Sequence, residues 1–114
     1  MTQPEVRKHL FDIAEACALI ERFTAGKAFE DYEGDALLRS GVERQFEIVG
    51  EALSRMLQLS PDLLPRITDA RRIVAFRNRL IHGYASVSNE VVWGVVEGNL
   101  VALKREIQAL LDEP

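Results

Sequence analysis

Cysteine is almost missing from this chain of 114 residues, where Cys17 stands alone. That excludes an internal disulfide framework and leaves too few thiols for a cysteine-rich zinc site, which fits a reducing compartment. As a nucleophile Cys17 lacks an activator closer than His9, two helical turns away. Proline and glycine are scarce, with four and seven residues, and that suits helices. No apolar run approaches the ~18 residues of a membrane span. The opening MTQPEVRKHLFDIAEA mixes charges where a signal peptide has an apolar core, so a soluble cytoplasmic chain is expected. The net charge of −4 excludes a nucleic-acid binder driven by overall basic character. There is no glycine-rich phosphate loop and no set of carboxylates and histidines at metal-ligand spacing. No metal and no cofactor are therefore expected.

What is present is helical periodicity. Val6, Leu10, Ile13, Ala14, Cys17 and Ile20 recur at steps of three and four after Pro4, and Thr24-Ala25-Gly26 reads as a stop. KAFEDY forms at most one further turn. Leu38, Val42, Phe46, Val49, Leu53 and Met56 trace a second long stripe. Ser60-Pro61 opens a short turn ending by Pro65. Thr68 or Asp69 caps a helix through Ile73, Phe76 and Leu80 that frays near Gly83. Ser88 or Asn89 caps one last helix, whose Trp93, Val96, Leu100, Leu103, Ile107 and Leu110 form a helix-packing seam. Gly94 and Gly98, four apart beside it, read first as tolerated and second as points of close backbone approach. With no strand-like alternation and no repeat, residues 1–114 are expected to form one all-α domain, an antiparallel bundle of four to five helices.

Residues 66–82, RITDARRIVAFRNRLIH, set five arginines against the single acid Asp69, a local charge of +4 in a chain of −4. The plain explanation is a solvated helix face. The alternative is phosphate recognition, which the planar guanidinium fork suits. Within RNRLIHGY, 77–84, Asn78 and His82 lie four apart on one helix face, so the amide can orient the imidazole. Arg77 and His82 lie five apart, roughly 140° around a helix. They converge only if the arginine bends across or the helix unwinds near Gly83. Histidine serves as proton donor and acceptor near neutrality, and arginine stabilises charge building on phosphate. Together they suffice for metal-independent RNA cleavage through attack of a ribose 2′-OH. Base and acid must be different groups, so one such histidine per chain implies a symmetric homodimer. Against this, a lone histidine near a helix end is more often structural than catalytic.

Arg77-Asn78, three residues, His82, one residue and Tyr84 resemble the signature of HepT-like toxins, in the HEPN group of helical ribonucleases. EIVGEALSRM (47–56) resembles that family's second-helix motif. VVWGVVEGNLVALKREIQALL resembles its last helix. Gly83 departs from the pattern, standing where a larger or charged residue is usual, and the residue before Arg77 is not tryptophan. The resemblance implies a HEPN-like helical fold and an endoribonuclease toxin of a type VII toxin–antitoxin system. Arg77 and His82 would be catalytic and Asn78 supporting. Its partner would be an MNT-type (minimal nucleotidyltransferase) antitoxin that silences the toxin by placing AMP on Tyr84. Glu51 reads as a helix-surface charge in preference to a site-lining acid. The alternative to an enzyme is a non-catalytic helical module that holds a nucleotide or docks the nucleotidyltransferase.

Overall fold

The structure, a computed structural model, describes residues 3–83 and 87–114. Among these residues there are α-helices and one 3-10 turn, and no strand. Helix α1 spans Pro4–Thr24, with proline at its first turn where a missing N–H costs nothing. Helix α2, Phe29–Glu33, is the single turn expected from KAFEDY. Asp35 caps α3, Ala36–Leu59, by accepting hydrogen bonds from the Leu37 and Leu38 amides. The turn Pro61–Arg66 leads to α4, Ala70–His82.

The last segment differs from the single helix that its apolar seam predicts. It is two helices, α5 (Asn89–Gly98) and α6 (Leu100–Leu111), meeting at Asn99. Gly98 has the low helix propensity that permits the break. The Asn99 side chain is drawn aside to donate to Asp69 Oδ2 at 3.2 Å. Ser88 caps α5 as expected, accepting from the Val91 amide.

The apolar stripes meet in one core. Helix α1 contributes Val6, Leu10, Ile13 and Ile20, α3 contributes Val42, Phe46, Val49, Leu53 and Met56, and α6 contributes Leu103, Ile107 and Leu110. Phe46 and Phe76 join α3 to α4 edge to face, with ring centroids 5.4 Å apart. Tyr32 and Trp93 join α2 to α5 at the same separation. Truncating such a core side chain to alanine costs about 2–5 kcal/mol. Two pairs fix the direction of α6 along α1. Arg7 reaches the Leu111 carbonyl, and Lys104 pairs with Glu21 at 2.5 Å, so the helices run antiparallel.

The start of α4 is tethered twice. The Thr68 amide and hydroxyl both donate to the Glu106 carboxylate, at 3.0 and 2.7 Å. Asp69 occupies the N-cap position with φ of 58°, a left-handed conformation uncommon for a residue with a side chain. Its carboxylate serves Asn99 and makes no cap bond, unlike the expected capping role. Helix α4 is therefore pinned to the bundle at its beginning, with Leu80 buried and His82 exposed near its other end.

Candidate active site

Winding α4 at about 100° per residue separates its polar groups into two sets. Ile73, Phe76 and Leu80 face the core and are buried. On one flank of that buried face stands Arg77, whose side chain keeps only 23% of its surface exposed. On the far side stand Arg71, Arg72, Ala75, Asn78, Arg79 and His82, all exposed. The helix stays α-helical through His82 and stops at Gly83, whose amide donates to the Arg79 carbonyl at 2.8 Å. It does not unwind before the histidine. The five-residue step from Arg77 to His82 keeps its roughly 140°.

Arg77 is held by α3. Its stem lies on Gly50 so closely that a Cβ there would sit 2.2 Å from Arg77 Cβ and 2.6 Å from its Cγ. Only glycine admits that approach. The guanidinium then bonds in two directions. One terminal nitrogen donates to Glu51 Oε2 at 2.5 Å, and the other donates to Asn78 Oδ1 at 2.8 Å. Its Nε is buried with no hydrogen-bond partner among the described residues.

Asn78 thus has a different partner from the one expected. Its amide oxygen accepts from the arginine rather than serving the imidazole. The arginine stays on the α3 side, held by Glu51, while the imidazole is exposed at the helix end.

Glu51 is the residue that sequence reasoning undervalued. Its carboxylate is shared, with Oε1 accepting from Arg55 at 2.6 Å and Oε2 from Arg77. The Arg55 hydrogen bond first, and the charge of Arg77 after it, hold the carboxyl below the usual carboxylate range. The available signal was the glycine–acid pair Gly50-Glu51, a bare backbone next to a counter-ion.

Arg77, Glu51 and Arg55 line an open cavity of about 350 Å³ together with Lys8 and His9 of α1 and Ile81 of α4. The guanidinium therefore faces a space able to admit a phosphate group. His82 does not line it. Among the described residues no group of three or more histidine, cysteine or acidic side chains is placed to hold a metal ion. Tyr84 lies outside the described residues. Cys17 is fully buried, and burial pushes its thiol up to about 12, so it is not a nucleophile near neutrality. A Cβ added at Gly94 or Gly98 would meet nothing within 4 Å. The close approach that their spacing raised occurs at Gly50 instead.

The chain matches known proteins over most of its length. A family model described as ribonuclease HepT-like matches residues 13–110. A protein of Thermococcus cleftensis named as a probable ribonuclease HepT is 36% identical over 104 residues, covering 91% of this chain and 94% of its own length. A Methanocaldococcus jannaschii protein named as a candidate RNase is 26% identical over 108 residues, 95% of this chain and 98% of that one. A Caldanaerobacter subterraneus protein with a similar name is 24% identical over 107 residues, 94% and 95% of the two chains. No solved structure matches the chain.

Proposed function

Since this chain belongs to the HepT-like ribonuclease family, we propose that it is a metal-independent endoribonuclease and the toxin of a toxin–antitoxin pair. The observation that carries the reading is the Arg77 guanidinium, fixed by Glu51 and Asn78 at a phosphate-sized cavity, on the same helix that ends in an exposed imidazole.

In the reaction, the His82 imidazole takes the proton of a ribose 2′-OH. The oxygen attacks the adjacent phosphorus, the bond to the 5′-oxygen breaks, and a cyclic phosphate forms. Arg77 stabilises the negative charge on the phosphorus oxygens. The departing 5′-oxygen takes a proton from a second acid. A homodimer supplies that acid as the imidazolium of the other copy's histidine across a two-fold axis. The exposure of His82 supports this arrangement, because an exposed imidazole at the last residue of α4 is accessible to a second copy. Tyr84, two residues beyond, is the modification target. A nucleotidyltransferase partner in the cytoplasm transfers AMP from ATP to its hydroxyl, releasing pyrophosphate. The added bulk and charge then obstruct the substrate phosphate.

The test is cleavage of RNA by purified protein in the presence of a chelator. The parent cleaves, and His82→Ala and Arg77→Ala lose roughly 10²–10⁴-fold in rate while remaining folded. Cleavage abolished by chelator alone sinks the metal-free mechanism. A parent that binds RNA without cutting it leaves the non-catalytic module as the better reading. Light scattering checks the dimer. Mass spectrometry of protein co-expressed with the nucleotidyltransferase checks for AMP on Tyr84, and Tyr84→Phe should escape silencing.

A further inference from the structure

We infer that the outward face of α4, with Arg71, Arg72 and Arg79 in line with His82, is the surface along which the RNA strand lies. The inference rests on the ribonuclease reading and deepens it by naming the residues that hold the substrate outside the cavity.

Arg71, Asn78 and His82 fall within roughly 40° of one another around the helix, with Arg79 and Arg72 along one flank. All are exposed. Arg72 keeps 86% of its side chain in solvent and pairs loosely with Asp69 Oδ1 at 3.8 Å, while the other Asp69 oxygen accepts from Asn99. Arg71 and Arg79 form no ion pair among the described residues. Arg71 and Arg79 differ from Arg77, whose charge is met by Glu51, and from Arg66, which pairs with Glu113. Two guanidiniums without an ion pair among the described residues and the loosely paired Arg72 thus lie on the face that ends at the imidazole.

The stripe has the dimensions and chemistry of a phosphate track. From Arg71 to His82 the helix rises about 16 Å, enough for several nucleotides of a stacked strand at about 3.4 Å each. Arginine forks suit phosphate oxygens. Ala75 is the only apolar side chain on the stripe, so it lacks the apolar or aromatic centre expected of a protein-docking patch. An acidic partner protein is accordingly the weaker occupant.

The experiment measures binding of a labelled, single-stranded 2′-O-methyl oligoribonucleotide, which has no 2′-OH to cleave, across roughly 50–200 mM salt. Each of Arg71→Gln, Arg72→Gln and Arg79→Gln should reduce the magnitude of the slope of log affinity against log salt by about 0.7, and the triple variant by about 2. Arg22→Gln, an exposed arginine at the far end of α1, should leave the slope as it is. Slopes unchanged in the three single variants and the triple overturn the inference. If those variants bind like the parent yet no longer co-purify with a co-expressed nucleotidyltransferase, the stripe docks protein and the RNA assignment falls. A parent that shows the slope losses but fails to cut ordinary RNA supports the track while sinking the ribonuclease reading. A parent that cuts RNA with unaltered slopes does the reverse.

Discussion

Arg77 and Arg79 stand two residues apart on α4, and their surroundings have little in common. Arg77 lies along the bare backbone of Gly50, bonded to Glu51 and Asn78, with its Nε out of solvent. Arg79 projects into water with Arg71, Arg72 and His82. A fixed guanidinium can present its fork in one orientation at little entropic cost, which stabilising a transition state requires. A free one adapts to phosphates at variable positions, which suits holding a flexible strand. One short helix thus carries two kinds of arginine because α3 approaches only one of its sides.

The largest way to break that contrast is to close the approach. Gly50→Ala places a methyl 2.2 Å from Arg77 Cβ, and the helices or the arginine must shift. Overpacking of this kind costs about 1–3 kcal/mol, and cleavage should fall with it although His82 is untouched. Gly94→Ala is the matched control. Nothing lies within 4 Å of its new carbon, and alanine within helix α5 should stabilise by about 0.5–1 kcal/mol. Urea denaturation of the two variants should move in opposite directions. Midpoints that shift the same way would mean that the seam between α3 and α4 is not the tight one.

The next contrast is between the two arginines themselves. Arg77→Ala removes a stem packed on α3, frees Glu51 from one of its two partners and leaves the Asn78 oxygen without its donor. Roughly 1–2 kcal/mol of stability should go. Arg79→Ala should stay within about 0.5 kcal/mol of the parent. Arg77→Lys should recover little, because an ammonium cannot span Glu51 and Asn78 with one planar fork. Equal midpoints for the two alanine variants would show that Arg77 is held no more firmly than its exposed neighbour.

How far these differences were legible in the sequence depended on whether they were local to one helix. The stripes from Val6 to Ile20 and from Leu38 to Met56 announced α1 and α3 because burial selects one face of a helix. The cap at Ser88 was legible for the same local reason. The break at Asn99 was not, since it depends on Asp69, 30 residues earlier in the chain, while the apolar seam runs on through the kink unchanged. At the site, the four-residue step from Asn78 to His82 correctly set the two on one face. It could not show that Asn78 would bond Arg77, or that Glu51, a charge on another helix, would be that arginine's partner. Periodicity reports which face a residue occupies, and contacts between helices lie beyond its reach.

The smallest expected effect tests Glu51 directly through pH. Its carboxyl is held below the ordinary range by Arg55 first and by Arg77 after it, so the folded chain binds that proton less readily than the unfolded chain does. The stability it contributes is therefore complete above the unfolded value, about 4.3, and disappears as pH falls through the lower folded value. Because 39% of the Glu51 side chain remains exposed, solvent screening keeps the contribution under about 1 kcal/mol. The comparison that isolates it is the parent against Glu51→Gln, since every other carboxylate titrates alike in both. Their denaturation midpoints should differ by a constant amount from neutrality down to about pH 5, and the gap should narrow below about pH 4. Arg79→Gln carried through the same series should show no such narrowing, as its side chain meets no carboxylate among the described residues. A gap for Glu51→Gln that persists unchanged into acid would mean that the glutamate acts through its shape and hydrogen bonds alone, with its charge contributing nothing to how Arg77 is held.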